Sequence, residues 1–588
     1  TSIDLISLKH STGTPPLQEN PGLVARIRRQ LNYSQLALML LAIPTAIVVA
    51  YGSYGFRQAF VFFSDWVHAS GRFSTGFSEM ILLALGGLVF GLVLKIMNWE
   101  RFLGPANVIV AVHERDGKYP TRDGVITAAC DALALGIGAS VGRYGPAVQL
   151  GATVSSLLGQ TLGLTRTGLR VMLGCGVAAA ISASFNAPIA GAIFAHEAII
   201  GHFSLRAFAP ITVASVVAVG VTRHHGFEFV ALKLASDVTH LSLWEYPAFL
   251  VLGVVAAGIA FVYMTGVLRT GDLAHHLRLP IWIQPAIGGA LAGAVGLWMP
   301  QVLGLGEDIM QQVLDPNAAA TAYGFVFLAS LVLAKLVASV SCLGLRYPGG
   351  VFSPALFMGA SLGGLFGFMA PFLDYQICVL VGMGALVSSV IGAPIATILI
   401  VFELTENYQA ATAVMIAVVS ANALLTRFYA RSIFHRQVLR WGIDLERPRE
   451  QRRLAARRVS EIMSRRVLAV KPARTATELK TFIDRGHVGD VFVVEGEERR
   501  LIGRVPLAVL VAAQPGQTAR ELSQPVEFCV EEGEDLWSGL LGVENFVGFT
   551  VPVVSDATAM KLVGVVTESD FISAYRQAVE EVREDKDG

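Results

Sequence analysis

The sequence predicts an all-α polytopic membrane domain followed by a cytoplasmic α/β domain. Of its 588 residues, 53% are hydrophobic and only 15% are charged, with a mean hydropathy of +0.57. A chain this apolar is neither one soluble globule nor a disordered protein. Uncharged stretches long enough to cross a bilayer recur up to residue 426, and short β-branched runs follow residue 460. We therefore expect most of the chain to lie in lipid.

Charge and cysteine content argue against several other classes of protein. The 45 basic and 45 acidic residues cancel, so no excess of charge indicates nucleic acid as a partner. The five cysteines show no paired spacing, which disfavours a disulfide framework or a zinc site. No phosphate loop, nucleophile elbow or HExxH motif occurs. We expect neither an enzyme nor a metal site, and no required cofactor.

The two ends of the membrane domain are marked by arginine. Residues 1–30 are polar and close on a basic cluster, and the uncharged run 33–56 that follows is long enough to span a bilayer. It starts too late, and lacks the cleavage site, for a signal peptide. Residues 436–459 form a basic linker. Because arginine favours the cytoplasmic side, both termini are predicted to be cytoplasmic. Together with the lack of a signal or transit peptide, this suggests the inner membrane of a prokaryote.

Many of the remaining apolar runs are interrupted. Several are too short for a simple span, and several contain internal glycine or proline. Broken helices are tolerated in a membrane where the freed backbone lines a polar cavity. Glycine used for helix packing and proline used for kinking remain an alternative explanation for any single run. The runs are residues 80–94, 144–165, 171–195, 207–222, 246–268, 279–306, 347–373, 375–402 and 408–426.

The membrane domain, residues 31–435, contains an internal repeat. GRYGPAVQLGA from Gly142 matches GVFSPALFMGA from Gly350, and APIAGAIFAHE from Ala187 matches APIATILIVFE from Ala393. The two pairs occur in the same order and at nearly the same offset, which chance matching of apolar sequence does not readily produce. Two related halves, approximately 31–230 and 240–435, are therefore predicted.

The first repeated element has a physical interpretation. A glycine-rich turn followed by Pro146 or Pro354 begins a long apolar helix, and proline is tolerated in a first turn. The unpaired amides at such a start carry the positive end of the helix dipole. Inside a membrane an anion is their natural partner. Two helix starts from the two halves are thus expected to converge on an anion near the bilayer midplane.

These segments resemble the signatures of a known family. GRYGP at 142–146, GGVFSP at 349–354, FNAPIAGAIFAHE at 185–197 and GAPIATILIVFELTENYQ at 392–409 are similar to those of the CLC chloride channel and transporter family. The similarity covers roughly residues 30–440. It implies broken helices in inverted repeats, and a homodimer in the lipid bilayer with one pathway for chloride and other small anions in each subunit.

The resemblance also implies where the anion binds. The outer position would be lined by the amides around Arg143, Tyr144 and Gly145, and the central position by Val351 and Phe352. Pro146, Gly350 and Pro354 complete the frame. The Arg143 side chain either attracts anions or pairs with an acid or an interface.

The sequence departs from the family pattern at both proton-coupling positions. Tyr144 stands where the gating glutamate is usual, and Ala198 where exchangers carry a second acid. A phenol is neutral at physiological pH, so it can donate a hydrogen bond to an anion but cannot imitate one. A gate at Tyr144 would therefore act by steric bulk.

Both hydroxyl groups of the central site are replaced as well. Phe434, in RSIFHRQVLRWG, falls on the family's tyrosine, and Phe102, ahead of Pro105 in RFLGPANV, falls on its serine. Backbone amides and the edges of Phe352 and Phe434 would then hold the ion, and chloride should bind more weakly.

The predicted function is passive anion conduction without proton coupling. One alternative is a proton-coupled exchanger that uses His196 or Glu197 as a shuttle. Glu197 matches Glu403 across the repeat, which favours a structural role, and His196 is more readily explained as an interior histidine. A further alternative is a nucleotide sensor with vestigial transport.

Residues 460–588 resemble a pair of CBS motifs. SEIMSRRVLAV at 460–470 and VPVVSDATAMKLVGVVTESDFI at 551–572 carry the likeness. In the second motif Thr567 and Asp570 would hold the ribose of an adenine nucleotide, whereas GRVPLAV at 503–509 has neither residue. The competing explanation is that Thr567 and Asp570 cap the following helix.

Overall fold

The computed structural model describes residues 35–69, 76–226, 241–316, 324–484, 490–543, 546 and 550–587. The predicted N-terminal segment, residues 1–30, and its arginine cluster lie outside this range. The chain divides into two compact units, the first ending at Gln437 and the second beginning at Val438.

The first unit is built of α-helices. Eight helices within the described residues are long and apolar enough to cross a membrane. In its first half the helices are α1 Gln35–Ala69, α2 Gly76–Met97, α3 Pro105–His113, α4 Thr121–Gly136, α5 Tyr144–Thr161, α6 Arg166–Phe185, α7 Pro188–Phe194 and α8 Leu205–His224. In its second half they are α9 Tyr246–His276, α10 Gln284–Gly296, α11 Glu307–Leu314, α12 Phe325–Gly344, α13 Phe352–Met369, α14 Tyr375–Ile391, α15 Pro394–Thr405, α16 Tyr408–Phe428 and α17 Ile433–Arg440.

Two of the apolar runs are broken at matching places. The run 171–195 breaks between α6 and α7, where Asn186 has a left-handed backbone with φ 55°. The run 375–402 breaks between α14 and α15, where Gly392 has φ 75°. In each case a proline opens the next helix, because its fixed φ suits a first turn and its missing N–H has no partner to lose there.

Two helices were missed because each carries a buried charge. Helix α4 contains Asp131, whose side chain is 2% exposed, and α12 contains Lys335, which is fully buried. The Lys335 ammonium donates to the carbonyl oxygens of Val302 and Gly304 at 2.9 and 2.8 Å. A search for uncharged runs passes over such helices, since it assumes that every charge lies outside the membrane.

The two halves cap each other's helices reciprocally. The Glu403 carboxylate accepts hydrogen bonds from the first-turn amides of α7, Ile189 and Ala190, at 2.9 and 2.7 Å. The Glu197 carboxylate accepts from those of α15, Ile395 and Ala396, at 3.0 and 2.8 Å. An acidic group at a helix start satisfies unpaired amides and the positive end of the dipole. The structural role expected for Glu197 is thus observed.

The second unit contains two α/β repeats of the same topology. In each three-stranded sheet the first strand pairs parallel to the second and the second pairs antiparallel to the third. The first repeat comprises β1 Ala469–Val470, α19 Ala476–Asp484, β2 Val491–Glu495, β3 Arg500–Val505, α20 Leu507–Ala512 and α21 Ala519–Leu522. The second comprises β4 Val530–Glu531, α22 Leu536–Val543, β5 Val551–Val554, β6 Leu562–Val566 and α23 Glu568–Asp587.

The segment predicted as a basic linker, 436–459, is partly helical. Helix α17 continues to Arg440, and a further helix, α18, spans Arg449–Ala455. Leu454 of α18 is fully buried in a core that includes Phe571 of α23. Arg453 pairs with Glu581 at 2.8 Å. The arginine content concealed this helix, because its buried Leu454 is flanked by the charged residues Arg452 and Arg453.

Candidate anion pathway

The starts of α5 and α13 lie next to each other. Gly142 and Gly350 form an antiparallel bridge, in which the Gly142 amide donates to the Gly350 carbonyl oxygen at 2.7 Å and the Gly350 amide donates back at 2.9 Å. The predicted convergence of two proline-containing helix starts is therefore confirmed. The Gly350 amide is used in this bridge and is therefore not free for an anion.

A third helix start reaches the same place. A Cβ atom built on Gly145 would lie 3.1 Å from the Gly350 Cα and 3.8 Å from ring carbons of Pro105, the first residue of α3. Glycine is needed at 145 for this close approach. Three positive helix ends consequently meet in one region, which favours a negative ligand.

Unpaired amides are available at the two long helices. Tyr144 and Gly145 occupy the first two positions of α5, and Phe352 and Ser353 occupy those of α13, where helix geometry provides no carbonyl partner. The third position of each is the proline, which has no N–H. The Ser353 hydroxyl accepts a hydrogen bond from the amide of Arg143, the residue just before α5 in the other half, at 3.4 Å.

Tyr144 lies in a cluster of three aromatic rings, the aromatic triad Tyr144, Phe185 and Phe352. The Tyr144 ring stacks on Phe185 with 4.0 Å between centroids and 13° between planes. It contacts Phe352 at 4.7 Å, and Phe185 contacts Phe352 at 5.2 Å. Tyr144 is only 3% exposed. Sequence reasoning missed Phe185, although it begins the FNAPIAG signature.

The Arg143 side chain holds Tyr144 and pairs with an acid. Its Nη2 donates to the Tyr144 hydroxyl at 3.2 Å and lies 3.1 Å from Oε1 of Glu307. The guanidinium carbon is 5.0 Å from the Tyr144 ring centroid, in cation–π range. Of the explanations left open for Arg143, pairing with an acid is the one observed. Glu307 was missed, because no motif marks this first residue of α11.

An apolar cavity adjoins the aromatic triad. The three rings line it together with Glu307 and side chains of α13, α14 and α15, among them Met383, Ile400 and Val401. Because Glu307 is paired with Arg143, its negative charge toward this space is largely compensated.

Phe102 and Phe434, at the two positions where the resemblance implies a hydroxyl group, are half-buried and buried, respectively. The Phe102 ring contacts Phe90 and Trp99 edge-on, each at 6.3 Å between centroids. Phe434 is buried, 7% exposed, at the second residue of α17. The Gly104 amide donates to the side-chain oxygen of Asn107 at 3.1 Å, an α3 contact that sequence analysis did not anticipate.

The segment with the second coupling position is a π-helical turn, Ala195–Ile200, that continues α7. Ala198 lies within it. The His196 ring packs between Phe203 and Phe208, and its Nδ1 is 3.2 Å from the His202 carbonyl oxygen. These contacts fit an interior histidine.

In the second unit Thr567 and Asp570 bond to each other at the start of α23. The Thr567 amide and hydroxyl donate to Oδ2 of Asp570 at 2.9 and 2.7 Å, and the Asp570 amide lies 3.2 Å from the Thr567 hydroxyl. Both side chains are thus engaged in a helix cap.

Fold and site together define a polytopic membrane protein in which helix ends of two related halves meet. Residues 86–426 match the family model described as "Voltage gated chloride channel". The chain belongs to this CLC family, whose members are channels or transporters and not enzymes.

Relatives from bacteria support the assignment. The chain is 31% identical over 387 residues to "Putative chloride channel protein ClcB-like" of Ralstonia nicotianae, covering 63% of this chain and 88% of that protein. It is 28% identical over 431 residues to "Voltage-gated ClC-type chloride channel ClcB" of Escherichia coli, covering 67% and 97%.

Solved structures share the fold. A slow cyanobacterial Cl−/H+ antiporter superposes with a TM-score of 0.61 at 19% identity, covering 70% of this chain and 99% of that one. A CLC-type fluoride/proton antiporter gives 0.58 at 24% identity, covering 68% and 97%. A eukaryotic CLC transporter gives 0.58 at 17% identity, covering 91% and 97%.

Proposed function

We propose that the protein conducts chloride and other small anions passively, without proton coupling, through one pathway in each subunit of a homodimer. The observation that carries the uncoupled mechanism is the replacement of both coupling acids, by Tyr144 and Ala198. Neither side chain can take up and release a proton in the physiological range. Two observations support an anion as the conducted ion: the family membership, and the convergence of the starts of α3, α5 and α13.

Conduction then requires the aromatic triad to open. The anion is held by the unpaired amides of α5 and α13 and attracted by the helix dipoles. To let it pass, Tyr144 leaves its stack on Phe185 and its bond to Arg143. An aromatic pair contributes about 0.5–1.5 kcal/mol and a hydrogen bond to a charged group about 1.5–3 kcal/mol. Opening therefore costs only a few kcal/mol by these figures, which thermal motion supplies.

The proposal is tested in liposomes that carry a chloride gradient. We expect chloride to flow down the gradient while an external pH electrode records no linked proton movement. Protons driven against their own gradient by chloride would refute the uncoupled mechanism. Empty liposomes give the lower reference level of proton movement, and liposomes with a proton ionophore give the upper one.

A proton-coupled exchanger is the second candidate, and one observation favours it. Nε2 of His196 is buried and has no hydrogen-bond partner among the described residues. Glu197 is a poorer shuttle, because both of its oxygens accept amide hydrogen bonds. If protons move in the liposome assay, His196→Gln should abolish that movement while leaving chloride flux intact.

For the second unit we propose a CBS pair that acts as a regulatory scaffold on the cytoplasmic side. The repeated sheet topology and the two sequence motifs support the CBS assignment. Because Thr567 and Asp570 are bonded to each other, the pair is better explained as a helix cap than as a ribose-binding site. Calorimetric titration with ATP, ADP and AMP should give no binding heat; saturable binding that is lost in Asp570→Ala would contradict the scaffold role.

A further inference from the structure

A second cavity adjoins Arg143 and shares no lining residue with the cavity beside the aromatic triad. We call it the arginine cavity. It lies among α1, the start of α5, the end of α6 and the end of α8. Its polar lining residues are Ser53, Tyr54, Arg57, Arg143, Ser184 and Thr222.

Two guanidinium groups, of Arg57 and Arg143, line the arginine cavity, and none of its described lining residues is acidic. The Arg143 guanidinium is also paired with Glu307, which lies outside this lining. Ser53 and Arg57 are four residues apart on α1, so their side chains share one face of that helix.

Two polar atoms of the cavity lining lack partners. Nη2 of Arg143 is bonded to Tyr144 and Glu307, but Nε of the same guanidinium has no hydrogen-bond partner among the described residues. Arg143 is 8% exposed. The Ser53 hydroxyl is likewise buried without a partner in the described chain. A buried charged donor left unpaired is unfavourable, and an anion is the ligand that satisfies both groups.

We propose that the arginine cavity is a binding site for a small inorganic anion, additional to the site at the helix starts. The anion accepts from Nε of Arg143 and from the Ser53 hydroxyl, with the Arg57 charge completing the site. The identity of this anion as the conducted ion rests on the proposed function. Ser53 lies about 27 Å along α1 from Gln35 and about 24 Å from Ala69, so the site is near the middle of α1.

This position connects the cavity to Tyr144. Arg143 lines the cavity, and its Nη2 donates to the Tyr144 hydroxyl. An anion bound at Nε competes for the positive charge that also holds Tyr144 and Glu307. Occupancy of the arginine cavity therefore weakens the contact that keeps the aromatic triad closed, so that arrival of an anion favours opening.

Bromide is the probe for this site, because it is a halide with anomalous scattering. Crystals of the full chain soaked in bromide should show an anomalous peak in the arginine cavity within hydrogen-bond distance of Arg143 Nε. Arg57→Gln should remove the peak, and Ser53→Ala, which deletes one hydroxyl, should weaken it. The control Arg269→Gln removes a positive charge from an exposed position on α9 and should leave it unchanged.

Flux measurements give the second readout. Arg57→Gln should raise the chloride concentration for half-maximal flux roughly tenfold and Ser53→Ala about threefold, with Arg269→Gln unchanged. Absence of a bromide peak in the cavity of the wild-type protein would overturn the proposal. So would a peak there combined with the wild-type half-saturating chloride concentration in both Arg57→Gln and Ser53→Ala. Proton movement in liposomes would instead overturn the uncoupled function, and it leaves the bromide result interpretable.

Discussion

At the scale of single residues, Arg143 and Tyr144 place a positive charge next to a bulky aromatic ring at the start of α5. The guanidinium is bonded to the phenol hydroxyl and to Glu307, and the phenol ring is stacked on Phe185. In the mechanism that we propose, charge recognition and steric closure therefore belong to adjacent residues in one chain segment. A substitution at either position should alter anion flux in a way that identifies its contribution.

Tyr144→Ala removes both the ring and the hydroxyl. We expect anion flux to rise about tenfold, since contacts in an aromatic cluster are worth about 0.5–1.5 kcal/mol each. The matched variant Tyr144→Phe keeps the stack on Phe185 and loses only the bond from Arg143, so its increase should be smaller. Chloride efflux from liposomes measures both. Wild-type flux in Tyr144→Ala would show that this residue is not a gate.

Glu307→Gln retains an acceptor for Arg143 but removes the compensating negative charge 3.1 Å away. The local potential becomes more positive, so the half-saturating chloride concentration should fall about threefold to tenfold, corresponding to roughly 0.7–1.4 kcal/mol. Chloride dependence of flux is the measurement. Asp308→Asn is the control, because this next residue of α11 forms no ion pair among the described residues. Equal effects of the two substitutions would argue against a specific Arg143–Glu307 interaction.

At the scale of secondary-structure elements, the repeat is held together by helix ends. The caps of α7 and α15 are exchanged between the halves, and the starts of α5 and α13 are joined by the Gly142–Gly350 bridge. Each contact satisfies amides that would otherwise be unpaired inside the membrane domain. The short helices α7 and α15 are stabilised because a carboxylate from the other half caps the start of each.

Glu197→Ala and Glu403→Ala should destabilise the protein to a similar extent. Each removes a carboxylate that accepts two amide hydrogen bonds, and charge-assisted bonds contribute about 1.5–3 kcal/mol apiece. Thermal unfolding in detergent is the measurement. A loss of stability in one variant alone would contradict the reciprocal arrangement, and a change in proton movement in Glu197→Ala would restore it as a shuttle candidate.

Sequence patterns predicted some elements well and others poorly. The starts at Tyr144 and Phe352 followed from glycine and proline, whose backbone constraints are local. Helices α4 and α12 were missed, because Asp131 and Lys335 interrupt their apolar character and only the surrounding fold buries them. Likewise Glu307 reaches Arg143 through packing between distant segments, and no local signal marks it.

At the scale of the whole molecule, the described residues form two units of different character, and the proposed anion site belongs to the first. Three helix starts from both halves meet there, so neither half is sufficient for the site that we propose. The scaffold is that of a family whose solved relatives include antiporters.

The double variant Tyr144→Glu, Ala198→Glu places acids at both coupling positions. If the fold otherwise retains the geometry for coupling, chloride flow in liposomes should become linked to proton movement that is absent in the wild type. Each single variant serves as a control and should remain uncoupled, because a proton path needs both groups. Coupling already present in the wild type would contradict the proposal from which this prediction follows.

The sequence by itself determined the membrane class, the repeat, the proline-containing helix starts and the absence of acids at 144 and 198, because these depend on composition and on constraints within a few residues. Only the tertiary structure decided that Gly142 pairs with Gly350, that Phe185 stacks on Tyr144 and that Glu307 neutralises Arg143. Such contacts join residues distant in the chain, and their partners are selected by shape and by the need to satisfy buried polar groups, which no local pattern encodes.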